Sequence, residues 1–218
     1  MIDRQLRPIG EAIRFVWPSF SERKFKLCNF ILKNFGRGAD VTPWKIKCEQ
    51  IKIPRADGSE LRLCVYSPRK REGEMPGLLW IHGGGMVAGS GCEVVCDGTG
   101  LAGRKDMVVV TINYRLGFFG FFAHPELTAE AGGTSGNYAL FDMRMACQWV
   151  KENIAQFGGD PQRITVAGQS GGAAGTGALH ASPLMKGLVQ RVSIESGPIY
   201  WLSLIHISEP TRPISISY

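Results

Sequence analysis

Two hydrophobic patterns alternate along this chain. Short runs in which almost every residue is apolar occur at residues 78–81, 107–112 and 164–167, and such runs are typical of strands buried on both faces of a sheet. Residues 137–157 instead place apolar side chains at helical spacing and end at Gly158 and Gly159, where a helix stops. With a fourth strand at 189–194, the alternation predicts an α/β fold with a mostly parallel central sheet.

The pattern before residue 76 is different. Residues 20–35 carry apolar side chains at helical spacing, with Ser21 placed as an N-cap and Gly36 as a C-cap. Two strand-like runs, 45–53 and 60–66, flank Asp57-Gly58, a dipeptide typical of hairpin turns. These runs predict an antiparallel strand pair ahead of the parallel sheet.

Residues 168–172 read Gly-Gln-Ser-Gly-Gly and fit the pattern G-x-S-x-G. They follow one predicted buried strand directly and precede a small-residue segment, 171–180, predicted to be a helix. A sharp strand-to-helix turn forces the serine backbone into an unfavourable conformation, and the flanking glycines leave room for that turn. The N-terminus of the helix also favours negative charge nearby. Ser170 is therefore a candidate nucleophile.

His82-Gly83-Gly84-Gly85 follows the first buried strand of this region. Ester hydrolysis passes through an oxyanion, and each preorganised backbone N–H donor stabilises it by roughly 2.7–4 kcal/mol. Consecutive glycines allow such N–H groups to point inward, and Gly171 would supply a further donor. A glycine run alone is equally compatible with a flexible turn. The order of the two motifs, about 85 residues apart, favours the oxyanion hole.

Composition and charge limit the kinds of partner that we expect this protein to bind. A hydrophobic fraction of 44% suits a globular protein, and no stretch approaches the ~20 apolar residues of a membrane span. Residues 1–75 contain 16 basic and 9 acidic side chains, but the basic ones are dispersed. This dispersal favours a solvated face over a nucleic-acid patch, so we expect no nucleic-acid partner.

Cysteine usage gives a further expectation. The N-terminus shows no continuous apolar segment like that of a signal peptide, which predicts a cytoplasmic location and reduced thiols. Cys92 and Cys96 lack a second ligand pair at a matching spacing, so we expect no metal and no cofactor. The six cysteines are Cys28, Cys48, Cys64, Cys92, Cys96 and Cys147.

Residues 76–198 resemble the type-B carboxylesterases, the carboxylesterase and cholinesterase branch of the α/β-hydrolase fold. The resemblance is carried by WIHGGG from Trp80, NYRLGFFGF from Asn113, GNYALFD from Gly136, WVKENIAQFGGDP with the following GQSGG, and SIESGP from Ser193. It implies that Ser170 is the nucleophile, that Gly84, Gly85 and Gly171 form the oxyanion hole, and that a small carboxylic ester is the substrate. It also implies a buried ion pair between Arg115 and Asp142.

The chain departs from the family in places. The family usually has alanine after the serine and often glutamate before it, where this chain has Gly171 and Gln169. Residues 1–75 lack the family's usual Asp-Cys-Leu-Tyr-Leu-Asn segment, and residues 60–68 look more like the hormone-sensitive-lipase branch. This mixed resemblance leaves open an alternative origin of the chain, in which two different coding segments are joined near residues 85–92.

The order of the triad in this fold, Ser then Asp or Glu then His, requires a base after Ser170. His180 lies ten residues on, about 15 Å away along the helix, and His206 lies in the final segment. We expect neither to be the base, and we expect His82 to brace its loop. Residues 202–218 resemble translated sequencing-adapter read-through, with a divergent native C-terminus as the alternative.

These observations predict a C-terminally incomplete α/β-hydrolase. Its predicted parts are an N-terminal helical segment at 1–40, a partial hydrolase domain at 41–201 and a tail at 202–218. The predicted function is ester hydrolysis through an acyl-enzyme on Ser170, inactive in this fragment. The alternatives are a hormone-sensitive-lipase-type esterase, and a non-catalytic binding protein of the same fold.

Overall fold

A computed structural model describes residues 46–70, 73–133 and 135–197, all of which belong to one compact unit. The predicted helix at 20–35 and the segment 202–218 lie outside the described residues. The domain bounds at 40 and 201 therefore stay predictions.

The described residues form a six-stranded sheet in the order β1-β2-β4-β3-β5-β6. The β1/β2 and β2/β4 pairs are antiparallel, and the other three pairs are parallel. The prediction of a mostly parallel sheet preceded by an antiparallel pair is confirmed. The strands are β1 Ile46–Pro54, β2 Glu60–Pro68, β3 Met75–Ile81, β4 Val108–Asn113, β5 Gly159–Gln169 and β6 Arg191–Glu195.

Five α-helices lie in the described part of the chain. The longest of them, Tyr138–Asn153, continues into a short 3-10 turn that ends at Gly158. Gly158 has a φ of 81°, the left-handed conformation that is usual after a helix. The short helices α1 to α3 were not predicted, because helices of five to seven residues leave little periodicity to read. The helices are α1 Thr99–Lys105, α2 Gly117–Phe121, α3 Pro125–Glu130, α4 Tyr138–Asn153 and α5 Gly171–Ala181.

Two strands begin earlier than the apolar runs predicted. β5 starts at Gly159 rather than at residue 164, and β3 starts at Met75 rather than at residue 78. The register between these strands shifts between Met75 and Gly77. Such an irregularity accommodates Pro161, which lacks the N–H that a regular ladder needs.

The core lies on both faces of the sheet. On one face, α4 buries Met143, Cys147 and Val150 against the central strands. On the other, α1 covers a smaller cluster that includes Cys64 and Tyr66. Val108, Val109 and Val110 of β4 are all buried, which confirms that this run is covered from both sides.

The hairpin between β1 and β2 turns at the predicted dipeptide. Gly58 has a φ of 79°, and its N–H donates to Arg55 O at 3.1 Å. The Asp57 carboxylate accepts the N–H of Ser59 at 2.9 Å. An aspartate that bonds its own backbone and a glycine in the left-handed region are the usual components of such a turn.

Candidate active site

Ser170 lies at a sharp turn between β5 and α5. Its backbone has φ 56° and ψ −119°, a conformation that residues with a side chain rarely adopt. The Ser170 N–H donates to Glu195 O at 2.9 Å, and its carbonyl accepts the N–H of Ala174 at 3.1 Å. A Cβ at Gly168 or at Gly172 would overlap backbone atoms. The strained turn therefore depends on both glycines, as the motif predicts.

The loop after β3 holds two glycines in the left-handed region. Gly84 has a φ of 99° and Gly85 a φ of 62°, and a Cβ at Gly84 would overlap Ala88 O. Within the described residues, the N–H groups of Gly84 and Gly85 donate to no backbone or side-chain acceptor. Both amides are thus free to bind a ligand oxygen.

The glycine loop packs directly against the serine turn. A Cβ built at Gly83 would lie 3.3 Å from Ser170 Cβ, and one at Gly171 would lie 3.2 Å from Gly85 N and 2.8 Å from Met86 N. Gly171 begins α5, so its N–H is one of the helix amides that lack an intrahelical acceptor. The three predicted oxyanion donors therefore belong to segments in mutual contact beside Ser170.

The sheet brings these two segments together. β3 and β5 are adjacent and parallel, and Ile81 at the end of β3 is paired with Gly168 at the end of β5. Each strand is followed at once by its motif. The carboxyl ends of parallel strands lie at one edge of the sheet, which is where α/β proteins place their sites.

His82 supports the glycine loop through its buried side chain. It is buried, its ring stacks on Tyr114 with centroids 4.4 Å apart, and its Nδ1 lies 2.8 Å from Gly83 O. Tyr114 Oη donates to His82 O at 2.9 Å. Burial lowers the pKa of His82, although the bond to Gly83 opposes this effect. A neutral histidine held in this way agrees with the predicted bracing role.

The described histidines do not serve as a hydrogen-bonded base for Ser170. His180 is exposed near the far end of α5, and His124 caps α3 by accepting the N–H of Glu126 at 3.3 Å. No histidine side chain in the described ranges hydrogen-bonds Ser170 Oγ. His206 lies outside those ranges.

Asp142 lies at the centre of a group of ion pairs with two arginines. This fully buried carboxylate accepts two bonds from the Arg115 guanidinium, at 2.8 and 3.0 Å, and one from the Arg115 N–H at 2.9 Å. Arg55 adds a second bidentate pair, at 2.8 and 3.1 Å. The ion pair implied by the resemblance is present, but its second arginine was missed. The only sequence signal was the position of Arg55 beside the hairpin dipeptide.

A cavity of about 380 Å³ lies elsewhere on the sheet. It is lined by the C-terminal half of α5, by the turn after it, and by Val166 and Val192 of β5 and β6. Neither Ser170 nor the glycine loop lines it, so it is separate from the candidate site.

The described residues contain neither a membrane-spanning helix nor a metal-binding cluster. None of their helices is both long and apolar enough to cross a bilayer. They also contain no group of three or more histidine, cysteine or acidic side chains arranged to hold a metal ion.

Comparison with known proteins identifies the family. The parallel sheet, the strained serine turn and the adjoining glycine loop define an α/β-hydrolase. A model of the carboxylesterase family matches residues 11–211, a longer span than the motifs alone covered. The chain therefore belongs to the carboxylesterase family.

Individual relatives agree with this membership. The fumonisin B1 esterase of Sphingopyxis macrogoltabida is 46% identical over 62% of this chain and 25% of its own length. The para-nitrobenzyl esterase of Bacillus subtilis (strain 168) is 42% identical over 67% of this chain and 29% of its own. A solved thermophilic PNB esterase matches 63% of this chain and 28% of its own, with 42% identity and a TM-score of 0.59. The chain thus spans between 25% and 29% of these proteins.

Proposed function

We propose that the protein to which these residues belong is a serine carboxylic-ester hydrolase with Ser170 as its nucleophile. The observation that carries the proposal is the contact between the strained serine turn and a loop with free backbone amides. Ser170 presents a half-buried hydroxyl, and beside it Gly84, Gly85 and Gly171 supply N–H donors that have no acceptor in the described part of the chain. The names of the two relatives described above, a fumonisin B1 esterase and a para-nitrobenzyl esterase, support the same reaction class.

In the proposed reaction, Ser170 Oγ attacks the acyl carbon and its proton passes to a base. The carbonyl oxygen becomes an oxyanion, which the glycine N–H groups stabilise. The alcohol leaves with a proton, and water then hydrolyses the acyl-enzyme to free acid and serine. The helix N-terminus at Gly171 favours the negative charge of the intermediate.

We further propose that the 218-residue chain alone turns over esters negligibly. A serine hydroxyl is a weak nucleophile unless a positioned histidine accepts its proton. In the described ranges no histidine fills that role. Slow turnover from the oxyanion donors alone is compatible with this proposal, since removing triad members leaves some catalysis.

Covalent labelling tests the assignment of the nucleophile. The full-length protein is treated with a fluorophosphonate, digested, and mapped by mass spectrometry. We expect label on Ser170, none on Ser170→Ala, and unchanged labelling of Ser182→Ala, a matched serine beyond the far end of α5. Label on another residue, or none on a folded protein that carries a downstream histidine, would contradict the proposal. The second result would favour a non-catalytic binding protein.

Turnover of p-nitrophenyl acetate tests the proposal about this chain. We expect rates within a few-fold of the Ser170→Ala variant. Serine-dependent turnover at the rate of ordinary esterases would show that the base lies within these 218 residues.

A further inference from the structure

Three cysteines from separate parts of the chain meet on the face of the sheet that α1 covers. Cys48 of β1 and Cys64 of β2 lie on the same face, since Cys48 is paired with Tyr66 and Cys64 with Gln50. The interaction with Cys64 is the largest influence on Cys48 and lowers its pKa. The Cys92 sulfur, from the loop that continues the glycine loop, lies 3.3 Å from the Cys64 sulfur.

Cys92 is held in place by a network of hydrogen bonds. Its N–H donates to Ser90 Oγ at 3.1 Å, and Ser90 Oγ donates to Asn113 Oδ1 at 2.7 Å. Asn113 also accepts the N–H of Gly91 at 3.1 Å, and Thr111 Oγ1 donates to Gly91 O at 2.7 Å. This network fastens residues 90–92 to the end of β4. The short distance between the sulfurs is therefore a property of an anchored loop.

The two thiols differ in exposure and in acidity. Cys92 is exposed and Cys64 is buried. The hydrogen bond from Cys64 lowers the pKa of Cys92 to about 6 despite partial burial, with smaller contributions from Asn113 and Ser90. The thiolate is the form that attacks a disulfide. Cys92 is thus accessible to an oxidant, and the buried Cys64 thiol lies next to it.

We propose that Cys92 and Cys64 form a dithiol–disulfide couple that reacts with low-molecular-weight disulfides such as oxidised glutathione. The Cys92 thiolate attacks one sulfur of the small disulfide, which releases one small thiolate and leaves a mixed disulfide. Cys64 then attacks the Cys92 sulfur, its proton passes to the departing second thiolate, and the protein disulfide forms. Two protein thiols are oxidised and one small disulfide is reduced to two thiols.

The geometry of the three thiols favours a disulfide between Cys64 and Cys92 over metal binding. A disulfide needs the sulfurs at ~2.05 Å, so they must approach by only a little more than 1 Å. Metal binding is disfavoured, because the three thiols do not form a metal-binding group among the described residues. The bond would close residues 64–92, which contain the oxyanion glycines, into a covalent loop. Oxidation would thereby fasten both ends of the glycine loop to the sheet.

Mass spectrometry of the oxidised chain tests the couple. The reduced 218-residue protein is exposed to oxidised glutathione, free thiols are blocked with N-ethylmaleimide, and the protein is digested without reductant. Trypsin places Cys48, Cys64 and Cys92 on different peptides, and cleavage after Glu93 separates Cys92 from Cys96. We expect the dominant cross-link to join Cys64 to Cys92.

Matched variants decide between the outcomes. Cys92→Ser, at an exposed position, should abolish the cross-link, whereas Cys96→Ser should leave it unchanged. Ser170→Ala should form it equally well, since the couple is independent of the proposed esterase chemistry. A dominant Cys48–Cys64 or Cys92–Cys96 bond would overturn the proposal. Glutathione that persists on Cys92 without transfer to Cys64 would overturn it too.

Discussion

Arg55 and Asp142, 87 positions apart in the chain, form a bidentate ion pair inside the protein. The carboxylate is fully buried, and 6% of the arginine side chain is exposed. Arg55 lies in the β1–β2 hairpin and Asp142 in α4, so the pair joins the antiparallel edge to the main helix. Arg115 donates to both oxygens of the same carboxylate.

Removal of the shared carboxylate should be strongly destabilising. Asp142→Asn leaves two arginines without their common partner, and breaking a buried pair typically costs about 3–5 kcal/mol. Urea unfolding should show a loss of this size. Asp57→Asn is the matched control, because Asp57 pairs with Arg115 at the surface, where such bonds contribute less than about 1 kcal/mol. Equal losses for the two variants would contradict a buried anchoring role.

Two glycine-to-alanine changes should have opposite effects on stability. A Cβ at Gly172 would overlap the carbonyl of Ile81, so Gly172→Ala should lower the free energy of unfolding by about 1–3 kcal/mol. Gly100 lies in α1 with no atom within 4 Å of a new Cβ, so Gly100→Ala should raise it by about 0.5–1 kcal/mol. Urea unfolding of both variants measures the difference. A neutral Gly172→Ala would show that the turn has room that the structure does not provide.

His82 should make folding less favourable in acid. Burial lowers its pKa, and no described group accepts a bond from Nε2, so protonation would bury a charge without a partner. The unfolded state then binds more protons than the folded state. Stability is fully present above the ordinary histidine pKa of 6.5 and falls as the pH drops below it.

Unfolding between pH 8 and pH 5 measures this effect. His82→Asn keeps a donor for Gly83 O but does not titrate, so its stability should fall less with acid than that of the wild type. His124→Asn replaces an exposed histidine in the same way and serves as the comparison variant. Parallel profiles for His82→Asn and the wild type would show that His82 does not contribute.

Cys92 should react as a thiolate near neutral pH. Because its pKa is lowered to about 6, its alkylation by iodoacetamide should reach a plateau by about pH 7. Burial raises the pKa of Cys96, so its rate should still rise above pH 9. Peptide mapping after brief alkylation gives both profiles at once. The two profiles should be distinct, and coincident curves would argue against a lowered pKa at Cys92.

Local patterns predicted much of the sheet and of the site. Runs of apolar residues marked the central strands, because a strand covered on both faces has no polar side. The GQSGG and HGGG motifs placed Ser170 and its glycines at strand ends, where the structure has them. Boundaries were less accurate at β3 and β5, where pairing extends into polar sequence that carries no strand pattern.

The contacts that local patterns missed are those between distant segments. Arg55 reads in the sequence as an ordinary basic residue beside a turn, and only the packing of the hairpin on α4 buries it. Likewise Cys48, Cys64 and Cys92 show no motif spacing, because two neighbouring strands and an anchored loop bring them together.

The sequence by itself determined the fold class, the strained turn at the candidate nucleophile Ser170 and the glycines that must surround it. These follow from steric rules that act within a few residues, such as the need for glycine around a strained serine. The tertiary structure decided that β3 lies next to β5, that Asp142 has two arginine partners, and that a thiol cluster forms under α1. Those features depend on strand order and packing, which bring together residues that do not interact along the chain.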